Sequence, residues 1–314
     1  MTSTESQSAA AVLMVRPACF GFNPETAESN AFQRKPSPSA APVGPHAAAL
    51  AEFDAVVSAL RRAGVEVVVA EDTPEPPKPD AVFPNNWVSF HRDGRVVFYP
   101  MQAPSRRAER REALVAELAR AGGFRVSGTE DLSYREAEGK FLEGTGSLVL
   151  DRSARIAYAC LSPRTDLDVL GEFAQRLDYA PVAFEAFDRR GRPIYHTNVL
   201  MAVGSGFAIV CAEAIADLRQ RAELLSRLAA TGHAIVEITH AQMESFAGNC
   251  LELASPQGRL VVMSEAAWGS LQGAQRELLE RQGSVLRVAI PTIESVGGGG
   301  IRCMLAELHL PKRR

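Results

Sequence analysis

The sequence predicts a single closed α/β domain in which five similar units surround a common axis. Two observations support this fold class: the same helix–strand succession recurs five times along 314 residues, and further short apolar runs lie between the units. Closure is expected because a ring of strands leaves no unpaired sheet edge. The composition, with 46% hydrophobic and 23% charged residues, is that of an ordinary globular protein.

Each unit contains a segment with apolar residues at helical spacing, which ends shortly before a strand. Glycine, a frequent residue just after a helix, follows the helical segment in four of the five units. The predicted helices are residues 47–62, 108–121, 166–177, 214–230 and 265–281, and the strands that follow them are residues 65–69, 124–126, 181–184, 234–238 and 285–288.

Additional apolar runs complete each unit as strand, strand, helix, strand, with the helices outside and the strands inside. These runs are residues 81–83, 95–99, 147–150, 156–160, 199–203, 207–211, 250–253 and 260–263. A doubly wound sheet is the competing interpretation, but no glycine fingerprint follows the first strand. The Pro-rich residues 72–79 are predicted to form a surface connection rather than a domain linker.

The bulk composition argues against several functional classes. A net charge of -3 gives no basic surface for nucleic acid, and the five cysteines and six histidines lack metal-ligand spacing. No apolar run reaches the length of a membrane span, and no leader pattern is present, so we expect a cytoplasmic protein. We expect residues 1–10 to be a disordered tail and residues 11–314 to form the domain.

The stretch around Cys303 holds the candidate nucleophile. Four consecutive glycines, residues 297–300, precede it and allow another group to approach the backbone closely. An apolar run that predicts a strand follows, so the cysteine can be held still yet accessible, and the neighbouring Arg302 would favour its thiolate. The alternative is a structural cysteine buried at the start of a strand.

Three other polar stretches lie where inner strands of the ring begin or end. They contain Asp80, Asn85 and Asn86 in residues 79–87, Glu143 before a Gly-x-Gly turn, and His196 with Asn198 in residues 194–201. Separately, they are compatible with Asp/Asn turn chemistry, a solvated turn glutamate and a core histidine. Together with the cysteine, a histidine and a carboxylate on different units are the parts of nucleophilic catalysis.

These stretches resemble the pentein superfamily of guanidine-modifying enzymes, which includes arginine deiminases, dimethylarginine dimethylaminohydrolases, succinylarginine dihydrolases and amidinotransferases. The resemblance covers nearly the whole chain and implies a five-bladed ββαβ propeller. It implies catalytic roles for Cys303, His196 and Glu143, and substrate binding by Asp80 in a Pro-Asp-x-x-Phe motif. It also implies that Arg106 and Arg164 hold an α-carboxylate, which suits the bidentate guanidinium.

The segments Phe-Gly-Phe-Asn-Pro-Glu-Thr-Ala, Phe-Pro-Asn-Asn-Trp and Arg-Cys-Met-Leu-Ala-Glu are most similar to citrulline-utilisation hydrolases. Asn30 lies near the first of them, where arginine dihydrolases also carry an asparagine. The chain departs from the wider family where Asn85 and Asn86 replace Glu and Asp, Gly146 replaces an Asp, and Asn198 replaces the Asp of His-x-Asp. Amides in place of acids can donate hydrogen bonds to a neutral carbonyl oxygen.

We therefore expect a cysteine hydrolase of a ureido or guanidino amino acid, with citrulline, giving ornithine, ammonia and carbon dioxide, ahead of arginine. In this account Cys303 attacks the trigonal carbon and His196, oriented by Glu143, transfers protons. The expected substrate-binding residues are Asp80, Asn85, Asn86, Asn30, Arg106, Arg164 and Asn198. The expected partner is a small amino acid, no metal or organic cofactor is implied, and a homodimer stays open as an assembly.

Other interpretations stay open at this point. An arginine deiminase or dihydrolase, or a dimethylarginine dimethylaminohydrolase, would use the same residues on a cationic substrate. An amidinotransferase would pass the same kind of covalent intermediate to an amine. A non-catalytic binding protein on the same fold is a further alternative, since a fold does not fix a function.

Overall fold

Five three-stranded sheets make up the core of the computed structural model, which describes residues 5–36, 44–120 and 122–313. The strands are β1 Ala11–Arg16, β2 Glu66–Glu71, β3 Val88–Phe90, β4 Arg95–Phe98, β5 Gly128–Asp131, β6 Leu148–Asp151, β7 Ile156–Cys160, β8 Ala180–Phe184, β9 Met201–Val203, β10 Phe207–Val210, β11 Ala234–Glu237, β12 Leu251–Ser255, β13 Gly258–Ser264, β14 Ser284–Val288 and β15 Ala306–Glu307.

All five sheets share one topology, in which the middle strand is antiparallel to an inner strand and parallel to an outer strand. In the second sheet, for example, β4 is antiparallel to β3 and parallel to β5. The inner strands of neighbouring sheets contact one another, as β6 contacts β9 and β15 contacts β3. The ring closes because β15, from the C-terminal end, pairs with β1, with Val12 opposite Glu307. The predicted five-bladed α/β propeller is confirmed.

One longer helix covers the outside of each sheet. These helices are Pro45–Arg62, Glu112–Arg120, Leu167–Leu177, Leu218–Ala230 and Gly273–Gln282. The fourth begins where the Asp217 carboxylate accepts hydrogen bonds from two backbone N–H groups, and it buries Leu224 and Leu228 against its sheet. None of the helices in the described part of the chain is both long enough and apolar enough to span a membrane.

Shorter helical elements connect the strands. The α-helical ones are Pro24–Ala27, Pro104–Arg107, Gly144–Ser147, Thr197–Leu200, His240–Glu244 and Glu265–Ser270; the 3₁₀ turns are Pro84–Asn86, Ser133–Glu138, Ala212–Ala214 and Ile301–Met304, and a π-helical turn spans Ile293–Gly297. The predicted helix over 265–281 is thus two helices, because Leu271 is extended and Gln272 starts a new capping box.

Two predicted strands are wrong. Residues 124–126 do not pair with β4, because the backbone of Phe124 forms a bridge with Lys312 and Arg125 donates to the Pro311 carbonyl. The strand of that unit begins instead at Gly128. Residues 81–83 form hydrogen-bonded turns rather than a strand, since Ala81 and Phe83 each donate to a backbone carbonyl three residues earlier.

Residues 5–10, which precede the first strand, lie within the fold. Gln7 is 8% exposed, and its side-chain Nε2 donates to the carbonyls of Leu150 at 2.9 Å and Val203 at 3.0 Å. Its Oε1 accepts from the backbone N–H of Arg152 at 2.8 Å. These contacts satisfy backbone groups where inner strands end, so the prediction of disorder over residues 1–10 is wrong for residues 5–10. Residues 1–4 lie outside the described residues.

A short turn precedes each inner strand, and these turns meet at one end of the ring. They are Pro84–Asn86 before β3, Gly144–Ser147 before β6, Thr197–Leu200 before β9, residues 248–250 before β12 and Ile301–Met304 before β15. This arrangement agrees with the prediction that polar residues at inner strand ends converge. It places one polar cluster at the end of the axis.

Candidate active site

A small cavity lies where the turns before the inner strands meet. Its volume is about 10 Å³, which is room for about one water molecule. Most of the residues predicted from the sequence to form a site contribute to its wall, namely Asn30, Asp80, Asn86, Arg106, Arg164, His196 and Cys303. Phe83, Tyr195 and the glycines 297–299 complete much of the remaining wall.

Cys303 lies in the 3₁₀ turn before β15 and is 3% exposed. Two side-chain amides approach its sulfur: Nδ2 of Asn249 lies 3.3 Å from Sγ, and Nδ2 of Asn198 lies 3.5 Å from it. Burial raises the pKa of the Cys303 thiol, and the Asn249 amide, the Arg302 charge and the Asn198 amide oppose that increase.

Arg302 supports Cys303 less directly than its place in the sequence predicts. Its guanidinium donates to a carboxylate oxygen of Glu307 at 2.8 Å and to the Leu305 carbonyl at 2.8 Å. The positive charge is therefore already paired with a buried acid. The two amides supply the hydrogen bonds to sulfur.

His196 and Glu143 form a buried pair, with His196 Nε2 2.8 Å from Glu143 Oε2. Burial opposes ionisation of the carboxyl, but Arg164, His196 and Arg106 hold the pKa of Glu143 well below its usual range. Burial lowers the pKa of His196 to about 4, against the opposing effect of Glu143. Because the carboxylate can only accept, Nε2 carries the imidazole proton and Nδ1 is the free basic nitrogen.

The Gly-x-Gly turn after Glu143 is required by close packing. Gly144 has φ +48°, and a Cβ there would lie 2.3 Å from the backbone oxygen of Asn85. A Cβ on Gly146 would lie 2.4 Å from Asn86 Nδ2 and 2.8 Å from His196 Nδ1. The two glycines thus allow the asparagine turn and the histidine to meet beside Glu143.

Arg106 sets the orientation of Asn86. Its guanidinium makes two hydrogen bonds of 2.9 Å to the carboxylate of Glu109, and its Nη1 donates to Asn86 Oδ1 at 2.9 Å. A guanidinium only donates, so the oxygen of the amide must face it. Nδ2 of Asn86 is consequently directed elsewhere, and it is buried with no hydrogen-bond partner among the described residues.

Arg164 reaches the same cavity from the third sheet. It donates to Ser29 Oγ at 2.7 Å, to the Thr26 carbonyl at 3.0 Å and to Glu143 Oε2 at 3.4 Å. Its guanidinium also stacks over the ring of Tyr195 at 5.0 Å. These contacts fix the segment around residues 26–29 over the cavity.

Residues 23–30, the early segment, contact the cavity wall at Asp80 and at the glycine loop. Asp80 Oδ2 accepts from Asn23 Nδ2 at 2.7 Å and lies 3.8 Å from Arg106 Nε. Asn30 Nδ2 donates to the carbonyl of Gly298 at 3.1 Å. The early segment and the glycine loop are thereby joined at the cavity wall.

Three predicted residues lie behind the wall. Asn85 is fully buried, and within the described part of the chain neither polar atom of its side chain has a hydrogen-bond partner. Asn198 contacts Cys303 and Glu143 contacts His196, so both reach the cavity through another residue. Substrate binding by Asn85 and Asn198 stays a prediction.

Sequence reasoning missed Asn249 and Tyr195. Asn249 precedes β12 as Asn86, Glu143, His196 and Cys303 precede the other inner strands, so the repeat itself was the signal. Tyr195 lines the cavity and donates from its hydroxyl to the Gly298 carbonyl at 2.6 Å. Its position next to the histidine was the available signal.

One group of potential metal ligands occurs outside the cavity in the described residues. The ligand atoms of Cys211, Glu213 and His240 lie within 4.8 Å of one another. His240 Nδ1 is 2.9 Å from Glu213, and its Nε2 lies 3.1 Å from the carbonyl oxygen of Phe187. These mutual contacts satisfy the imidazole and carboxylate, so the group carries no metal assignment.

Comparison with known proteins assigns the chain to a family. A family model described as N,N dimethylarginine dimethylhydrolase, eukaryotic, matches residues 16–310. The chain belongs to this family. This family consists of hydrolases that act on carbon–nitrogen bonds other than peptide bonds, and the fold is that of the penteins. No curated protein matches the chain significantly.

Solved structures share the fold of this dimethylarginine dimethylhydrolase family member. The N-terminal domain of ArgZ, an arginine dihydrolase from cyanobacteria, bound to product, has a TM-score of 0.71 at 19% identity over 96% of this chain and 99% of that one. A mutant dimethylarginine hydrolase from Pseudomonas aeruginosa, complexed with citrulline, has a TM-score of 0.65 at 17% identity over 96% and 100%.

Longer proteins also match. AgrE, in a ternary complex with ornithine and NAD+, has a TM-score of 0.72 at 20% identity over 97% of this chain and 40% of that chain. The apo structure of ArgZ has a TM-score of 0.72 at 18% identity, over 96% of this chain and 41% of that chain. This family member thus spans about two fifths of the length of those two proteins.

Proposed function

We propose that the protein is a cysteine hydrolase that acts on the guanidino group of free arginine or a methylated arginine. The single observation that carries this proposal is the arrangement at the cavity: Cys303 with two amide donors, beside a histidine paired to a buried carboxylate. Family membership gives the reaction class, and arginine and citrulline are among the ligands of the structural relatives.

The proposed chemistry proceeds through a covalent intermediate. The sulfur of Cys303 forms a bond to the guanidino carbon, and one carbon–nitrogen bond breaks to release ammonia or a methylamine. Water then adds to the same carbon, the carbon–sulfur bond breaks, and a ureido product leaves with the thiol restored. A second cycle on the ureido group would release a second ammonia and a carbamic acid, which decomposes to ornithine and carbon dioxide.

His196 moves the protons in this scheme. Its pKa of about 4 makes the imidazole neutral near pH 7, so that Nδ1 can accept the thiol proton. The same proton then goes to the departing nitrogen, and the neutral imidazole accepts a proton from the attacking water. Glu143 holds the ring through Nε2 and stabilises the imidazolium that forms in each step.

The ends of the substrate meet opposite charges in the cavity. The cavity wall offers Asp80 to a guanidinium and Arg164 to an α-carboxylate, and Glu143 adds a negative charge from behind His196. Arg106 is already paired with Glu109. We therefore propose that its main role is to orient the Asn86 amide rather than to bind substrate.

A second candidate substrate is citrulline, and one observation favours it. Nδ2 of Asn86 is a buried donor without a partner beside His196. A guanidinium has no acceptor to offer it, whereas a ureido carbonyl oxygen has, and leaving a buried donor unpaired costs about 1–3 kcal/mol.

A substrate panel with product identification by mass tests the proposal. Arginine, dimethylarginine, citrulline and succinylarginine would be incubated with the wild-type protein, Cys303→Ser and Cys250→Ser. We expect ammonia or amine release from arginine or dimethylarginine, loss of turnover in Cys303→Ser, and retention in Cys250→Ser. Turnover of citrulline alone would establish the second candidate.

Two outcomes would contradict the proposal outright. One is the absence of turnover on every member of the panel. The other is turnover that requires an added acceptor amine, which would make the protein an amidinotransferase.

A further inference from the structure

Asn249 is held in one orientation by three hydrogen bonds. Its Oδ1 accepts from the backbone N–H of Arg302 at 3.0 Å, so the oxygen of the amide faces that donor. Nδ2 therefore faces the other way, where it donates to the Asn198 carbonyl at 2.9 Å and lies 3.3 Å from Cys303 Sγ. The two hydrogens of Nδ2 account for both contacts, and the side chain is 1% exposed.

We propose that Asn249 stabilises the thiolate of Cys303, in the place that a cationic side chain takes in many cysteine sites. The inference rests on the proposed role of Cys303 as nucleophile. An N–H donor gains strength when its acceptor becomes an anion, so a donor fixed on sulfur favours thiolate over thiol.

Asn249 differs in this respect from the second amide. Asn198 has Nδ2 at 3.5 Å and Oδ1 at 3.9 Å from the sulfur, so it can donate to a thiolate or accept from a thiol. Asn249 offers the sulfur only a donor, because its oxygen is occupied by the backbone of Arg302. It therefore discriminates between the two protonation states, whereas Asn198 accommodates both.

The fold supports this role for Asn249. A Cβ on Gly300 would lie 2.5 Å from Asn249 Oδ1, so the glycine before the Cys303 turn is what allows the amide to approach. With Asn249 included, every one of the five turns before an inner strand supplies a residue to the cluster, either from the turn itself, as with Asn86, or from the position just before it, as with Glu143 and His196.

Other charged or titratable groups lie around the same sulfur or line the same cavity. These are Arg302 with its partner Glu307, His196 with its partner Glu143, Tyr195, and the cavity residues Asp80, Arg106 and Arg164. All of them keep their own side chains when Asn249 is changed, and Asn249→Asp also keeps an oxygen for the backbone N–H of Arg302. Asn249→Ala removes the amide donor without adding a charge, so its effect on the thiol pKa measures the loss of the amide.

The test is the pH dependence of the rate at which iodoacetamide alkylates Cys303. Mass spectrometry of the peptides measures this rate separately from alkylation of the other cysteines. We expect Asn249→Ala to raise the apparent thiol pKa by about one to two units relative to wild type. Asn249→Asp keeps an oxygen for the Arg302 N–H, but it removes the donor and adds a negative charge beside the sulfur, so it should raise the pKa further. In the pH profile of kcat/KM, both variants should recover activity toward high pH.

A matched control is Gln7→Ala. Gln7 is also a buried amide with three hydrogen bonds, and it contacts Leu150, Val203 and Arg152 rather than the cysteine turn. A merely structural role for Asn249 would lower activity in Asn249→Ala and the control alike, with no shift of the alkylation profile.

An unchanged alkylation pKa in folded Asn249→Ala would overturn the inference, whatever happens to Asn249→Asp, because the added carboxylate raises the thiol pKa by its charge alone. Failure of the proposed function is a separate result. It would appear as full turnover in Cys303→Ser, irrespective of the alkylation profile at Asn249.

Discussion

His196 and Glu143 are joined by a 2.8 Å contact between Nε2 and Oε2, and both side chains are buried. The carboxylate holds one ring nitrogen while burial holds the imidazole neutral, with a pKa of about 4. A neutral histidine with a fixed tautomer has one unprotonated ring nitrogen, which can accept a proton. This pair determines how the site should respond to pH and to substitution.

The first prediction concerns the charge of His196. Its folded-state pKa lies below its ordinary value of 6.5, so its contribution to stability is full above pH 6.5 and is lost as pH falls toward about 4. The free energy of unfolding of wild type minus that of His196→Gln should fall by about 2 kcal/mol between pH 7 and pH 5. Denaturant unfolding at the two pH values measures it.

The comparison with His196→Gln is needed because other groups act in the opposite sense. The pKa values of Glu109 and Glu294 are raised by burial to about 7, so their contributions decline as pH rises. They are present in both proteins and cancel. A histidine that titrates near 6.5 in nuclear magnetic resonance spectra of the labelled protein would contradict the prediction.

The second prediction concerns proton transfer. His196→Ala should lower kcat by roughly 10²–10⁴-fold, because the general acid and base of both steps is lost. His196→Gln keeps a hydrogen-bonding group toward Glu143. It should accumulate a covalent adduct on Cys303 if the substitution slows hydrolysis of the intermediate more than it slows the attack of the thiol. Steady-state rates and circular dichroism on the same samples separate chemistry from folding. Near-normal turnover in folded His196→Ala would restore the interpretation as a core histidine.

The third prediction concerns the turn after Glu143. Gly144→Ala should destabilise the protein by about 2–4 kcal/mol, since φ is +48° and a Cβ would overlap a backbone oxygen at 2.3 Å. It should also lower kcat by displacing Glu143. The matched control is Gly139→Ala, where φ is +70° but no atom lies within 4 Å of the added Cβ.

Gly139→Ala carries only the backbone cost of about 1 kcal/mol. Equal losses of stability in the two variants, measured by denaturant unfolding, would show that the contact between the added Cβ at residue 144 and the Asn85 backbone oxygen does not affect the free energy of unfolding.

The fourth prediction concerns substrate charge. In Asn86→Asp, one oxygen still accepts from Arg106, and the other replaces an unpartnered donor with an anionic acceptor at the cavity. The ratio of kcat/KM for arginine to that for citrulline should rise at least about tenfold, because binding discrimination is a difference between two complexes. Competition assays with both substrates measure the ratio directly. An unchanged ratio would remove Asn86 from the account of specificity.

Much of the fold followed from the sequence because the repeat is strong. Glycine stops after helices and apolar runs gave the five units and the convergence of inner strand ends, so Cys303, His196 and Glu143 were placed at one end of the axis. The prediction of a strand over 124–126 was wrong because the backbone of these residues pairs with a distant segment near Lys312. The local sequence pattern contains no information about that pairing.

The details of the site required three dimensions. The orientation of the Asn86 amide depends on Arg106, and the orientation of Asn249 depends on a backbone N–H from another turn. Asn85 and Asn86 are adjacent and identical in sequence, yet only Asn86 reaches the cavity. The 3₁₀ conformation of Pro84–Asn86 makes the two side chains point in different directions, and the spacing of residues in the sequence does not predict this.

The central claim, that Cys303 forms a bond to the guanidino or ureido carbon of the substrate, is tested most directly by acid-quenching the reaction and mapping the peptides by mass. The account predicts a substrate-derived adduct on the peptide that contains Cys303, formed in wild type or more abundantly in His196→Gln, and removed by hydrolysis as product appears. Product formation by Cys303→Ser at the wild-type rate, or an adduct confined to another cysteine, would contradict it.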